Sequence, residues 1–377
     1  MSDSRPLIAH VIHRFAMGGM ENGIVNLING MDRDFAHAII CLDQSTEFSQ
    51  RLTRDDVQIF SLRKKPGKDL PHYQRLWRVL RELRPSVVHT RNIGTIEAGL
   101  VARLAGTATV FHGEHGFDVN DLHGAHQRYR RLRRVANPFI RRFICVSQQI
   151  RQWLQRDIGL PEDKLTQIYN GVDTTRFDPA RRETARALLR SAGADGEFVV
   201  GGVGRLEAVK NPLELVRAFT SRCQTHTDFA QRASLVLLGD GALRDEVARC
   251  ADESGFAQRV HLLGARDDVA QLMPGFDVFA LPSLNEGISN TILEAMASGV
   301  PVVASRVGGN AELYRDGQHG TLYESGDVDA LAGALGHYAD NEPMREERAA
   351  AARRHVVQQF SLDRMIDQYQ SLYAAHC

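Results

Sequence analysis

Short apolar runs that alternate with helical patterns recur along almost the whole chain, and they come in two sets. A polar stretch between residues 173 and 195 separates the two sets. This alternation predicts parallel sheets covered by helices, so we expect two doubly wound α/β domains. The expected strands are Ile8–Ile12, His37–Leu42, Val57–Leu62, Val87–His89, Thr107–Phe111, Phe143–Val146 and Leu165–Tyr169, then Phe198–Val203, Leu235–Leu238, Val260–Leu263, Val278–Leu281 and Val300–Ala304.

Chain length agrees with two domains, because 377 residues with 43% hydrophobic and 24% charged content can bury two cores. We place the domains at residues 1–172 and 173–360, and expect a final helix at 361–377 to pack back toward the N-terminal domain. No apolar stretch has the length of a membrane span or signal core, which predicts a cytoplasmic protein. The five cysteines lack C-x-x-C spacing, which argues against a disulfide framework and a zinc site.

Two carboxylates seven residues apart, Glu286 and Glu294, dominate the run from Pro282 to Ser305. The pattern places Glu286 on the loop after a buried strand, Phe276–Leu281, and Glu294 about one turn into a helix over Thr291–Ala297. Ligands of open α/β sheets bind outside the carboxyl ends of the strands, where helix N-termini attract phosphate. Because ionised carboxyl groups accept hydrogen bonds from sugar hydroxyls, the ligand implied is a nucleotide sugar.

A second loop supplies positive charge to the same sheet edge. The segment Gly201–Pro212 is typical of a strand that ends at Arg205, a loop, and a helix capped by Asn211. Arg205 and Lys210 therefore point toward the strand end that carries Glu286. A guanidinium fork and an ammonium group suit a diphosphate.

The run Pro282–Ser305 resembles retaining glycosyltransferases of the GT-B fold, specifically glycosyltransferase family 4, group 1, whose signature is Glu, seven residues, Glu. The resemblance extends from the glycine loop at Gly18 to Glu312. It implies two Rossmann-like domains that face a central cleft, and retaining transfer of a hexose from a nucleotide diphosphate sugar. The chain is also similar to bacterial transferases of exopolysaccharide assembly, whose acceptors are saccharides, often on polyprenyl diphosphate.

The resemblance implies a role for each donor-side residue. Arg205 and Lys210 stand where the family binds phosphate, Glu286 where it binds the hexose, and Glu294 where it binds the ribose. Glycines at such sites let a ligand approach the backbone. The other donor-binding positions implied are Gly18, Gly19, Gly239, Gly241, Leu263, Arg266, Gly287, Ile288, Ser289 and Asn290.

The segment Phe111–Asp118 contains two His-Gly pairs after an expected strand. In the family, a histidine at the position of His115 lies by the transferring sugar, and we assign this role to His115. The candidate catalytic residues are then His115, Arg205, Lys210 and Glu286. His112 could fill the place of His115 instead. Glu114 and Asp118, with His112, are the candidate acceptor ligands.

No metal or other cofactor is expected. Asp327-Val-Asp329 has the D-x-D pattern that metal-dependent transferases of the other major fold use, but it opens a helical pattern. We interpret Asp327 as a helix cap, since Arg205 and Lys210 already supply positive charge to the diphosphate.

Charge is distributed unevenly along the chain. Residues 1–180 contain 26 Lys/Arg and 19 Asp/Glu, and seven arginines lie between Arg128 and Arg142, interleaved with apolar residues. This pattern is typical of a basic amphipathic segment on an anionic membrane surface, or of a solvated helix face with no partner. We expect a peripheral position at the inner face of the membrane and no nucleic-acid partner.

Two other functions are compatible with the resemblance: a GT-B nucleotide-sugar 2-epimerase and a non-catalytic nucleotide-sugar-binding module. The epimerase needs acid/base carboxylates that the chain does not obviously present, and intact Arg205, Lys210, Glu286 and Glu294 argue against a decayed module. A UDP-sugar donor is favoured, with GDP-mannose as the alternative. The sequence leaves the sugar and the acceptor open.

Overall fold

The protein has two α/β units, each built on one parallel sheet. The computed structural model describes residues 5–67, 69–117, 121 and 124–377. One unit comprises Met1–Gly171 with Leu362–Cys377, and the other comprises Val172–Ser361. The prediction of two parallel-sheet α/β domains is confirmed.

The first unit contains a seven-stranded sheet in the order β3-β2-β1-β4-β5-β6-β7, and all its described pairings are parallel. Its strands are β1 (Leu7–Ile12), β2 (Ala36–Cys41), β3 (Gln58–Ser61), β4 (Val87–Arg91), β5 (Thr109–Glu114), β6 (Arg142–Cys145) and β7 (Leu165–Gln167). Its first helices are α1 (Gly19–Gly30), α2 (Leu70–Leu83), α3 (Ala98–Leu104), α4 (Gln127–Ala136) and α5 (Gln148–Trp153). All residues of β2, β4 and β5 are buried, as expected for a sheet covered on both faces.

The second unit contains a six-stranded parallel sheet in the order β10-β9-β8-β11-β12-β13. Its strands are β8 (Phe198–Val203), β9 (Ala233–Leu238), β10 (Val260–Leu262), β11 (Val278–Leu281), β12 (Val302–Ser305) and β13 (Gly320–Tyr323). Its helices are α6 (Arg182–Ser191), α7 (Pro212–Thr225), α8 (Thr227–Arg232), α9 (Arg244–Ser254), α10 (Val269–Leu272), α11 (Asn290–Ala297), α12 (Asn310–Leu313), α13 (Val328–Asp340) and α14 (Glu342–Gln359).

The order of the strands determines where each sheet can bind a ligand. In the second unit, β8 lies between β9 and β11, so the chain leaves β8 in one direction and later returns to its other side. Such a reversal opens a crevice at the carboxyl ends of the two central strands. The first unit has the same reversal between β1 and β4.

All twelve expected strands are present, but β13 was not predicted. This edge strand has only four residues, Gly-Thr-Leu-Tyr, and its glycine is required because a Cβ at Gly320 would lie 2.5 Å from the carbonyl oxygen of Val302. Glycine in an apolar run weakens a strand signal. The strand is therefore determined by packing against β12.

The last helix, α15 (Leu362–Ala374), belongs to the first unit. Its buried side chains Met365, Ile366, Tyr369 and Tyr373 share a hydrophobic core with residues of β1 and α1. The Tyr373 side chain is fully buried, and its hydroxyl lies 2.8 Å from Nδ1 of His89 in β4. This hydrogen bond, with the one from Nε2 of Gln370 to Oδ2 of Asp32 at 2.6 Å, adds polar contacts to the apolar packing of the helix.

We expect Tyr373→Phe to lower the free energy of unfolding by about 1 to 3 kcal/mol, because the ring nitrogen of His89 then loses its buried partner. Urea denaturation measures the change. Tyr369→Phe on the same helix is the matched control, since no hydrogen bond of its hydroxyl occurs within the described residues. Equal unfolding midpoints for the two variants would show that the Tyr373 hydroxyl adds no stability.

Candidate functional site

Two cations follow β8 at the strand reversal of the second unit. Arg205 is exposed, and its guanidinium has no partner among the described residues, whereas Nζ of Lys210 lies 2.5 Å from Oε1 of Glu286. Asn211 precedes α7 with a φ of 50°, and its side chain makes no capping hydrogen bond to the backbone of the helix. Its amide donates to the side chain of Glu214 instead. The loop after β8 thus presents one unpaired cation and one paired cation.

Glu286 contacts Lys210 and Ser283 through its side chain and Gly308 through its backbone. Its Oε1 accepts hydrogen bonds from Nζ of Lys210 at 2.5 Å and from Oγ of Ser283 at 2.7 Å. Its backbone packs against Gly308, where φ is +55° and a Cβ would lie 1.7 Å from the carbonyl oxygen of Glu286. The carboxylate is therefore oriented before any ligand binds, and Oε2 makes no described contact within the protein.

Glu294 lies one turn into α11, as predicted, and the helix starts at Asn290, one residue before its expected beginning. Oγ of Ser289 caps this helix by accepting from the N–H of Ile292 at 3.3 Å. Burial raises the pKa of Glu294 to about 7, although the charge of Arg176 opposes the shift. No hydrogen bond or ion pair of this carboxylate occurs within the described residues, so it can still accept hydroxyl donors.

The loop glycines have a structural reason that does not involve a ligand. A Cβ at Gly239 would lie 1.8 Å from the carbonyl oxygen of Gly204, and one at Gly241 would lie 2.5 Å from that of Leu206. These glycines let the loop after β9 pack on the backbone that carries Arg205. The sequence interpretation had attributed them to nucleotide approach alone.

Leu263 and Arg266, which follow β10, both make hydrogen bonds within the second unit. The N–H of Leu263 donates to the carbonyl of Leu237 at 3.0 Å. The guanidinium of Arg266 makes two hydrogen bonds to Asp268, at 2.7 and 2.6 Å. A planar guanidinium held in this way keeps one face for stacking.

In the first unit, Gly18 precedes α1 and Gly19 is its first residue. A Cβ at Gly18 would lie 2.3 Å from Oε2 of Glu21, so the chain's own carboxylate lies at this helix N-terminus. The sequence had suggested that this end of the helix would attract an anion. In the part of the chain that the structure describes, the carboxylate next to Gly18 is that of Glu21.

The two histidines of the segment Phe111–Asp118, His112 and His115, lie in different environments. Strand β5 extends to Glu114, so His112 is inside the strand, contrary to the expectation that both histidines follow it. His112 is fully buried, with Nδ1 2.7 Å from Oγ1 of Thr90. Glu114 is also buried and accepts two hydrogen bonds from Arg133, at 2.6 and 2.9 Å. Both oxygens of this candidate acceptor ligand are thus occupied by an internal ion pair.

His115 is the histidine that follows β5. Its Nε2 is buried without a partner among the described residues, and burial, together with the nearby charge of Arg91, lowers the pKa of His115 to about 3. The imidazole is therefore neutral at physiological pH. Asp118 lies outside the described residues.

Sequence reasoning missed Ser283 and Asn92. Ser283 lies three residues before Glu286, so its position in the same run was a usable signal. Asn92 follows β4, and its Oδ1 accepts from the backbone N–H of His115 at 2.9 Å. No local pattern connects residues 23 positions apart, and only the pairing of β4 with β5 brings them together.

Asp327 confirms the helix-cap interpretation of the D-x-D pattern. Its Oδ1 accepts from the N–H of Ala330 at 2.9 Å, at the start of α13. The carboxylate is thus used by the helix itself.

Two family models match the chain in consecutive parts. Residues 17–176 match "Glycosyltransferase Family 4", and residues 197–341 match "Glycosyl transferases group 1". Together these matches span well over half of the chain.

Two similar curated proteins are glycosyltransferases by name. The chain is 29% identical over 315 residues to UDP-Gal:alpha-D-GlcNAc-diphosphoundecaprenol alpha-1,3-galactosyltransferase of Escherichia coli, covering 81% of this chain and 79% of that protein. It is 37% identical over 187 residues to D-inositol 3-phosphate glycosyltransferase of Mycolicibacterium gilvum, covering 48% of this chain and 41% of that protein.

Solved structures share the fold. Anabaena HepE in complex with UDP and glucose has a TM-score of 0.84 at 22% identity, over 98% of this chain and 99% of HepE. Sucrose-phosphate synthase from Thermosynechococcus elongatus has a TM-score of 0.83 at 20% identity, with the same coverages of 98% and 99%. The two Rossmann-like sheets are those of the GT-B fold, and the chain belongs to glycosyltransferase family 4, group 1.

Proposed function

We propose that the protein is a retaining, metal-independent hexosyltransferase that uses a UDP-sugar and a saccharide acceptor carried on polyprenyl diphosphate. The observation that carries this proposal is the pair Glu286 and Glu294 at the strand reversal, one oriented by Lys210 and Ser283, the other desolvated without a partner. The E. coli relative's name contains both UDP-Gal and a diphosphoundecaprenol acceptor, and the HepE complexes contain UDP.

The donor diphosphate would be bound by Arg205, Lys210 and the N-terminus of α11. When the bond between the anomeric carbon and the phosphate oxygen breaks, negative charge grows on the leaving group. Fixed cations stabilise that charge without reorganisation, which is worth on the order of 2 to 4 kcal/mol for each group. The exposed, unpaired guanidinium of Arg205 is available for this role.

The two glutamates would bind hydroxyl groups of the donor. Oε2 of Glu286 accepts from the hexose, while Lys210 and Ser283 keep Oε1 in place. Glu294 accepts from the ribose. Neither carboxylate serves as base or nucleophile, because the acceptor hydroxyl attacks from the face that the diphosphate leaves and its proton passes to the leaving phosphate.

On the acceptor side, we assign the neutral His115 to a hydrogen bond with the transferring sugar. Asp118 is proposed as an acceptor ligand. His112 and Glu114 are not carried into this role, since their buried side chains already bind Thr90 of β4 and Arg133 of α4.

We expect Lys210→Ala to lower kcat about 30- to 1000-fold, because the cation beside the leaving diphosphate is lost and Glu286 loses its orienting partner. Release of UDP from UDP-sugars in the presence of a lipid-linked saccharide measures turnover. Arg217→Ala, an exposed cation on α7 of the same unit, is the control and should retain full activity.

The same assay separates the three functional classes. Acceptor-dependent UDP release identifies a transferase, sugar interconversion without acceptor identifies an epimerase, and binding without turnover identifies a module. A thermal-shift panel of UDP, GDP and ADP tests the nucleotide, since a ligand of the native state raises its stability. Stabilisation by GDP alone would contradict the UDP assignment.

Glu294→Gln should stabilise the protein at pH 8 and weaken UDP binding. The pKa of the folded state, about 7, exceeds the ordinary value of 4.5, so the stability contributed by protonated Glu294 is complete below about pH 4.5 and lost as pH rises through 7. Glutamine removes this loss, a gain of roughly 1 to 3 kcal/mol at pH 8. It also weakens the hydroxyl contacts, by about tenfold in affinity for UDP.

Thermal melts between pH 5 and 8, with and without UDP, measure both effects. The exposed Glu347→Gln on α14 is the control and should shift neither. A Glu294→Gln protein that is less stable at pH 8 would contradict the raised pKa of Glu294, and one that binds UDP as well as the parent would contradict the ribose assignment.

A further inference from the structure

Exposed apolar side chains are concentrated on three helices of the first unit. Leu70 and Trp77 of α2 are 74% and 40% exposed, and Leu100 and Leu104 of α3 are 41% and 69% exposed. Val135 of α4 is 58% exposed. These five account for half of the large exposed apolar residues in the described part of the chain.

The three helices are neighbours on one layer of the sheet. Helix α2 packs against α3, where Nε1 of Trp77 donates to the carbonyl of Leu104 at 3.3 Å. Helix α3 packs in turn against the 3₁₀ turn Asn137–Phe139, which directly follows α4. We call the surface formed by the five apolar residues and the exposed arginines between them the α2–α4 face.

Exposed arginines occur on the same helices as these apolar residues. Arg78 and Arg81 of α2 and Arg128 and Arg131 of α4 are exposed, and the guanidinium of Arg81 lies 5.7 Å from the ring centre of Trp77. Apart from this stacking contact, none of the four has a side-chain partner among the described residues.

The basic segment Arg128–Arg142 is less available than its sequence suggested. Arg133 is buried against Glu114. The other paired arginines donate to acceptors in the helical turns that follow: Arg130 to Asp157, Arg134 to Ile158 and Arg142 to Asp163. Among its interleaved apolar residues Val135 is exposed and Ile140 is buried, while the remaining three are half-buried: Tyr129, Leu132 and Phe139. The apolar part of the surface comes instead from α2 and α3, which the sequence did not single out.

We propose that the α2–α4 face docks on an anionic lipid bilayer. Arginines at its edge pair with headgroups, while Trp77 and the leucines enter the boundary between headgroups and acyl chains, where amphipathic aromatic rings are favoured. None of the helices in the described part of the chain combines the length and hydropathy of a bilayer-spanning segment. The proposal rests on the proposed function only in that a lipid-linked acceptor gives docking a purpose.

Tryptophan fluorescence tests the docking directly. The chain has two tryptophans, and Trp153 is only 8% exposed. Vesicles of brominated phosphatidylglycerol should therefore quench the fluorescence of Trp77. In Trp77→Phe this quenching should be lost, while the protein still sediments with the vesicles.

The charged and apolar contributions are separated by variants of the full chain. Arg128→Gln with Arg131→Gln should weaken vesicle binding about 10- to 30-fold at low salt, from roughly 1 kcal/mol for each basic residue. Leu104→Gln should also weaken it. The matched controls in the second unit are Arg315→Gln with Arg354→Gln, and Val357→Gln, which is 42% exposed in the parent.

Equal binding to phosphatidylcholine and phosphatidylglycerol, no binding at low salt, or equal loss in the controls would overturn the proposal. Vesicle binding needs neither donor nor turnover. Failure of docking is therefore distinguishable from failure of the proposed reaction.

A second, independent observation concerns Asn92 at the end of β4. Its backbone has φ 58° and ψ 166°, a region that residues with a Cβ rarely occupy. The N–H of Asn92 donates to the carbonyl of Gly113 at 2.8 Å, and Nδ2 lies 3.5 Å from Sδ of Met20 in α1. With its bond to the N–H of His115, the residue joins the loop after β5 to the first turn of α1.

We infer that Asn92 is a positioning residue that sets the backbone of His115 for the donor sugar, which rests on the proposed role of His115. Asn92→Ala should lower kcat 10- to 100-fold, because the N–H of His115 loses its acceptor. Asn92→Asp retains that acceptor and should restore kcat to within about threefold of the parent.

Arg84→Ala is the matched control, because Arg84 has a φ of 47° in the same unit but no link to the site. Both alanine variants are expected to change the melting temperature similarly, while only Asn92→Ala changes kcat. The inference is wrong if Asp rescues no better than Ala, or if Arg84→Ala loses as much turnover. If His115→Ala itself retains full turnover, the assignment of His115 fails instead.

Discussion

Everything in the site of the second unit depends on the parallel pairing of β8 with β11. Parallel strands carry their carboxyl ends to one edge of a sheet, and the order of strands reverses at this pair. Residues far apart in the chain, such as Lys210 and Glu286, therefore come within 2.5 Å. The same pairing brings the loop before α11 beside the loop that carries Lys210, where the N–H of Leu284 donates to the carbonyl of Val209 at 2.8 Å.

The two site glutamates show how the environment of a carboxylate decides its chemistry. Glu286 receives a cation and a hydroxyl on the same oxygen, so its charge is compensated and its orientation is set. Glu294 is desolvated without a compensating donor, which raises its pKa to about 7. Such an unsatisfied group opposes folding and favours a ligand that brings hydroxyl donors.

Much of the site could be predicted because its residues lie in short, continuous runs. The segment from Pro282 to Ser305 contains a strand end, a capped helix start and both glutamates, and each is a local feature. Gly239 and Gly241 were predicted because glycine lets a nucleotide approach the backbone. In the structure, their lack of a side chain also allows the loop after β9 to pack on the loop after β8. The ion pair of Glu114 could not be predicted, because its partner Arg133 lies 19 residues away on a separate helix.

The sequence by itself determined the family and the two α/β domains, and it singled out the donor-side candidates, because periodicity and motif spacing are local properties of the chain. Only the tertiary structure decided which of those residues pair with one another, that Glu114 and Arg133 neutralise each other inside the first unit, and that α2 and α3 expose apolar side chains beside the arginines of α4. Exposure and ion pairing depend on which surfaces meet across distant segments, and that information appears only when the sheets assemble.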